Sequence, residues 1–101
     1  MKRHELSLAA RSDFYESYEY LAQRNLTAAY QWEDDILKAL DQICEFPHAA
    51  PIRPDLTSLP LRVATVGSHL IVYSAETDPI AIVAILHGAR DAHAILNNRL
   101  R

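Results

Sequence analysis

The sequence of 101 residues has one cysteine, two glycines and no hydrophobic run long enough to cross a membrane. Cys44 alone forms no internal disulfide and excludes a cysteine-rich zinc site. A transmembrane helix needs about 18 consecutive apolar residues, and no stretch approaches that length. The N-terminus carries charges without the apolar segment of a secretory signal. We therefore expect one domain over residues 1–101, located in the cytoplasm and without a membrane partner.

Positive charge is scarce and unevenly placed. The first 46 residues hold five Lys/Arg against nine Asp/Glu, whereas residues 47–101 hold five Arg against four Asp/Glu and no lysine. The net charge of −3 argues against strong non-specific nucleic-acid binding, which needs several phosphate contacts. Any anion-facing chemistry therefore belongs to the arginines of the second half.

Motifs of common catalytic and cofactor sites are missing. The sequence has no GxSxG element, no phosphate-binding glycine loop and no dinucleotide fingerprint. The five histidines have no metal-ligand spacing, since His87 and His93 are six residues apart. Cys44 lies on the apolar side of a predicted helix and is interpreted as core packing. We expect no cofactor, no metal and no conventional catalytic site.

Two helices are predicted in the first half, after a short strand at residues 5–8. The first spans residues 9–24, and either Asn25 or Thr27 caps the second, which spans residues 28–46. Pro47 ends that helix, because proline disfavours helical geometry at the preceding residue. The short link predicts an antiparallel helical hairpin. Its apolar positions recur at helical spacing: Phe14, Tyr18, Leu21, Ala29, Trp32, Ile36, Leu40 and Ile43.

The second half predicts strands. A proline-rich loop at residues 48–60 precedes strands at 61–66, 69–75 and 80–87, joined by a tight turn at Gly67-Ser68 and a second turn at 76–79. A final helix at 92–100 has Asp91 as its candidate cap. The order β-α-α-β-β-β-α predicts an α+β domain with an antiparallel sheet packed against the helical hairpin.

The third predicted strand of the meander is apolar on both faces, so it should lie centrally and be covered on both sides. The hairpin covers one face, and the other is left to the final helix, a second copy or a partner protein. Strand alternation places Ile80, Ile82, Ala84 and Leu86 on one face, and it places Ala81, Val83 and Ile85 on the other.

The run from His87 to Asp91 is the densest group of candidate functional residues. It places an imidazole, a glycine and a guanidinium at the end of the central strand. A structural interpretation stays open, in which Gly88 supplies a positive φ, Asp91 caps the helix and Arg90 pairs with an acid. Pairing through the Gly67-Ser68 turn brings Arg62 near Tyr73 or Ala75. His69, at the hairpin, is expected to be exposed rather than catalytic.

Taken together, these segments resemble the ParE/RelE superfamily, the toxins of bacterial toxin–antitoxin pairs. The resemblance covers about ninety residues, and its most specific element, which looks like the ParE branch, is the run at 82–91. The other matching segments are Ala9-Ala10-Arg11-Ser12-Asp13-Phe14 with Tyr18, the second helix up to Pro47, Leu61-Arg62, and Ile71-Val72-Tyr73.

The resemblance implies a type II toxin that inhibits DNA gyrase by binding, blocks replication, and is neutralised by a ParD-like antitoxin in a hetero-oligomer; a homo-oligomer is also open. RelE-like toxins instead cut messenger RNA on the ribosome. A non-toxic remnant that still binds antitoxin is the third interpretation. The residues expected to contact the target are Arg62, His87, Arg90, Asn97, Asn98, Arg99 and Arg101.

Chemistry favours the ParE-like branch over the nuclease. Cleaving RNA requires a base, an acid and cations for the phosphorane charge. RelE-like toxins use several lysines and arginines and often a terminal tyrosine, whereas residues 47–101 contain no lysine and no tyrosine follows Arg90. A gyrase inhibitor needs only a complementary surface. If the chain were a nuclease, its catalytic set would be His87, Arg62, Arg90 and Tyr73.

Overall fold

The computed structural model describes residues 3–88 and 92–100. Three helices and four strands follow one another in the predicted order. Their bounds are β1 His4–Leu6, α1 Leu8–Arg24, α2 Leu26–Glu45, β2 Arg62–Val66, β3 His69–Ser74, β4 Ile80–His87 and α3 Ala92–Arg99.

A single residue, Asn25, joins the two long helices. Its backbone N–H donates to the carbonyl of Leu21 and ends α1, and its side-chain oxygen accepts the N–H of Ala28 at 3.1 Å and starts α2. Asn25 is thus the cap, rather than Thr27, and α2 begins two residues earlier than predicted. A link this short turns α2 back against α1 and forms the expected hairpin.

The sheet has the strand order β1-β4-β3-β2. Strands β2, β3 and β4 form the predicted antiparallel meander, but β1 pairs with β4 in parallel, with His4 opposite Ile80 and Leu6 opposite Ile82. The sheet is therefore mixed rather than wholly antiparallel. No turn joins β1 to β4, so neither a turn signal nor a three-residue pattern could specify their direction.

The β2–β3 hairpin is closed by Gly67 and Ser68, with Val66 opposite His69. Gly67 has a φ of +58°, and Gly88, which follows β4, has a φ of +74°. A positive φ at the first turn residue alone is typical of a type II′ turn, where glycine is favoured. The expected positive φ of Gly88 is confirmed.

A bulge in β4 changes which side chains share a face. Val72 lies opposite Ala84 and Tyr73 opposite Ile82, so Val83 has no partner on β3. The predicted alternation is correct up to Ile82 and wrong beyond it, because the extra residue shifts the parity. The helical hairpin receives Ile80, Ile82 and Ile85, whereas Ala84 and Leu86 face the other side.

Both faces of the sheet are covered. The hairpin packs Trp32, Ile36 and Leu40 on one face, against a set that includes Ile71 and Ile82. On the other face, Leu96 of α3 and Leu56 of the long loop join a second apolar cluster. The central position of β4 is confirmed, and the final helix, one of three candidates, covers its second face.

Candidate functional site

Arg62 and Tyr73 are partners across β2 and β3, as predicted. Arg62 Nη1 donates to the carbonyls of His48 at 3.1 Å and Ala50 at 2.7 Å, and the Tyr73 hydroxyl donates to the carbonyl of Pro47 at 2.7 Å. Tyr73 is fully buried, and burial raises its pKa against the opposing effect of the Arg62 cation. Both side chains are therefore used to hold the proline-rich loop against the sheet.

His87 lies at the other end of the sheet, directly opposite His69. The two imidazole rings stack with centroids 4.8 Å apart, and His87 is exposed whereas His69 is only 8% exposed. The expectation that His69 is exposed is wrong, because Trp32 of α2 covers it and donates its indole N–H to His69 Nδ1 at 3.2 Å.

The environment of His69 favours the neutral form of its ring. Burial lowers its pKa, and the neighbouring His87 lowers it further. An indole N–H can only donate, so Nδ1 must accept and the ring proton sits on Nε2. A ring held in this tautomer offers an N–H donor at Nε2, and no lone pair for a metal ion at either nitrogen.

The residues predicted for a nuclease do not converge in the described part of the chain. Arg62 and Tyr73 occupy the first register position of the β2–β3 pair, whereas His69 occupies the last one, with His87 beside it on β4. Four residues of extended strand separate these positions by about 13 Å. Arg90 lies outside the described residues, as does Asp91.

The candidates on α3 divide into two groups. Asn97 and Asn98 are exposed. Arg99 is turned inward and forms a two-pronged ion pair with Asp13 of α1, at 2.6 Å and 2.7 Å. Arg101 lies outside the described residues.

A cleft between the helical hairpin and the β2–β3 turn was missed by sequence reasoning. It has a volume of about 540 Å³ and mostly apolar walls. Its lining comes from five elements and the turn, so no spacing in the sequence could reveal it. Its acidic, aromatic and imidazole side chains are Glu16, Tyr20, Trp32, Asp35, His69 and His87.

Within residues 3–88 and 92–100, no group of three or more His, Cys, Asp or Glu side chains is arranged to hold a metal ion. Cys44 is buried in α2, where burial raises its pKa above the ordinary value, which agrees with the core-packing interpretation. None of the helices in this part of the chain is long and apolar enough to span a membrane.

Comparisons with known proteins agree with this architecture. A family model described as the ParE toxin of the type II toxin–antitoxin system parDE matches residues 5–92. Among solved structures, a chain from the chromosomal ParDE TA system of P. aeruginosa superposes with a TM-score of 0.71 at 16% identity, covering 87% of this chain and 97% of that one. No match was found among curated proteins.

Proposed function

We propose, from the premise that this chain belongs to the ParE toxin family of parDE type II toxin–antitoxin systems, that it acts by binding DNA gyrase and thereby blocks replication. A cognate ParD-like antitoxin neutralises it in the cytoplasm. The proposal makes the chain an inhibitor that works through a surface and not an enzyme.

One observation carries the choice of binding over RNA cleavage. Two of the four residues of the nuclease set are engaged inside the fold: Arg62 donates to loop carbonyls, and the Tyr73 hydroxyl donates to the carbonyl of Pro47. A general acid, a base and a cation must converge on one phosphate to cleave RNA. Side chains held at opposite ends of the sheet favour a contact surface instead.

The exposed candidates then form the proposed target contacts. His87, Asn97 and Asn98 present polar groups to solvent from the end of β4 and from α3. Amide and imidazole groups suit hydrogen bonding at a polar protein interface. Arg90 and Arg101, which lie outside the described residues, complete the contact set that the sequence predicts.

The cleft is the proposed binding site of the antitoxin. Its apolar walls favour a segment with apolar side chains, and the carboxylates of Glu16 and Asp35 favour a neighbouring basic residue. The first 46 residues also carry more negative than positive charge, which favours a basic partner in the same way. A segment of the antitoxin that is both apolar and basic therefore fits this position.

The target is tested by inducing the chain alone in bacteria and following labelled thymidine and labelled amino-acid incorporation in parallel. We expect DNA synthesis to fall first while translation continues. An early fall in translation would instead indicate a ribosome-directed toxin. If neither falls, the chain is a remnant without toxicity.

Contact residues are tested at matched soluble protein levels. Asn98→Ala should relieve the arrest of DNA synthesis without lowering the melting temperature. Gln42→Ala is the matched control, because it removes an exposed amide from α2, away from the proposed contacts. Equal arrest by both variants would remove Asn98 from the contact surface.

The proposed antitoxin-binding site is tested by co-expression with the product of the neighbouring reading frame. The double variant Glu16→Gln/Asp35→Asn should weaken the complex, because it removes two charges from the cleft. Glu19→Gln/Asp41→Asn removes the same charge from exposed positions that do not line the cleft and should leave affinity nearly unchanged. Equal losses would indicate a general charge effect.

A further inference from the structure

Asp13 of α1 connects three segments that are distant in the sequence. Its Oδ2 accepts the backbone N–H of Ile85 at 2.9 Å and Arg99 Nη1 at 2.6 Å, and its Oδ1 accepts Arg99 Nη2 at 2.7 Å. The Asp13 side chain is 11% exposed and that of Arg99 is 25% exposed. One carboxylate therefore holds α1, β4 and α3 together.

The bulge in β4 explains why side chains are needed at this point. Strand β1 ends at Leu6, and the N–H of Ser7 makes the last backbone bond to this edge, at the carbonyl of Ile82. Beyond it, the Val83 carbonyl accepts from Arg99 Nη1 at 3.3 Å, and Ile85 donates to Asp13. Asp13 and Arg99 thus replace the strand partner that β1 does not provide.

Helix α3 depends on such contacts for its orientation. It has eight residues, and a helix of that length is marginal in isolation. Its buried side chains are Ala92 and Leu96, which anchor its first two turns. Arg99 supplies the ion pair that ties its last turn to α1, beside the partly buried Leu100 that follows the helix.

We propose that Asp13 is a positioning residue, which through Arg99 sets the last turn of α3 and so presents Asn97 and Asn98 to the target. Arg99 then acts through its bonds to Asp13 and to the Val83 carbonyl and makes no direct target contact, unlike its assignment from the sequence. The consequence for toxicity rests on the proposed function, whereas the positioning of α3 does not.

The first measurement is amide hydrogen exchange of the purified chain. In Asp13→Asn, the amide retains an acceptor for Ile85 but loses the charge, so exchange in the last turn of α3 should rise about tenfold while β3 stays protected. Arg99→Gln should have the same effect. Because it leaves the Asp13–Ile85 bond intact, it serves as the second variant if Asp13→Asn folds poorly. The control Arg53→Gln breaks a similar pair with Asp55 inside the long loop and should leave α3 unchanged.

The second measurement is a double-mutant cycle on the arrest of DNA synthesis, at matched soluble protein levels. If Arg99 acts inside the fold with Asp13 and not on the target, the double variant Asp13→Asn/Arg99→Gln is no weaker than Arg99→Gln alone, because Arg99→Gln already removes the ion pair. Losses that add in the double variant mean that the two residues act independently, and they overturn the proposal.

Unchanged exchange in α3 of both single variants also overturns it, whatever their toxicity. If the unmodified chain arrests nothing, the proposed function fails, and the exchange experiment still decides whether Asp13 positions α3.

Discussion

Trp32 donates its indole N–H to Nδ1 of His69 over 3.2 Å, between the second helix and the third strand. The bond lies within a row of rings, with centroids 5.0 Å apart for Phe14 and Trp32, 5.1 Å for Trp32 and His69, and 4.8 Å for His69 and His87. The row runs from the core under the helical hairpin to the exposed end of β4. Protonation of His69 at Nδ1 removes this hydrogen bond and therefore destabilises the fold.

Stability should fall as the pH is lowered through the ordinary histidine pKa. Burial lowers the pKa of folded His69, so the unfolded chain takes up this proton at about pH 6.5 and the folded chain only at lower pH. The unfolded state then binds more protons, which lowers the free energy of unfolding by at most about 1.4 kcal/mol per pH unit for this group. Urea unfolding at pH 7.5 and 5.5 measures it.

The variant His69→Gln keeps an acceptor for Trp32 and removes the titration. Its midpoint in urea should depend less on pH than that of the unmodified chain, and it should be the less stable of the two at pH 7.5. Identical pH dependence of the two proteins would show that His69 contributes nothing to this linkage.

Replacing Arg62 should act on stability rather than on target binding. Arg62→Ala leaves the carbonyls of His48 and Ala50 without their donor, and the half-exposed position limits the expected loss to about 1–2 kcal/mol. Arg62→Lys keeps a cation on a flexible side chain of similar length and should recover part of the lost stability. Chemical denaturation measures both.

Arg11→Ala is the control for Arg62, because Arg11 is exposed on α1. It should change stability by no more than about 0.5 kcal/mol. Loss of toxicity in Arg62→Ala at unchanged stability would return Arg62 to the contact surface.

Tyr73→Phe separates a structural role from a catalytic one. The change removes the hydroxyl that donates to Pro47 and leaves a partly buried carbonyl without this donor, at about 1–3 kcal/mol. We expect a lower melting temperature, with growth arrest retained at growth temperatures where the variant is still folded. Melting is followed by circular dichroism and arrest by thymidine incorporation. A folded variant that has lost all activity would instead support the nuclease set.

Local patterns predict most of this fold. The helical spacing of Trp32, Ile36 and Leu40 identifies α2 because burial on one face repeats every turn. The Gly67-Ser68 turn fixes the register that places Arg62 opposite Tyr73. The sequence misses the direction of β1, because its partner strand is more than seventy residues away along the chain. It also misses the bulge at Val83, because the β3–β4 turn does not fix the register at that point and the backbone groups next to the bulge pair with side chains of distant segments.

The candidate site was predicted less completely than the fold. Residue type singled out Arg62, Tyr73 and Arg99, but residue type does not say whether a guanidinium or hydroxyl faces solvent or a backbone carbonyl. The cleft gave no signal, because its walls come from separate elements. His69 was misplaced because the cover over it is a tryptophan 37 residues earlier.

The sequence by itself determined the elements, their order, the meander and the family, because these depend on short-range periodicity, turns and residue runs. Only the tertiary structure decided which polar groups are already satisfied. Arg62, Tyr73 and Arg99 are held by loop carbonyls and Asp13, whereas His87, Asn97 and Asn98 remain exposed. The physical reason is that a buried backbone group must find a hydrogen-bond partner, and the partner it finds is set by packing between distant segments.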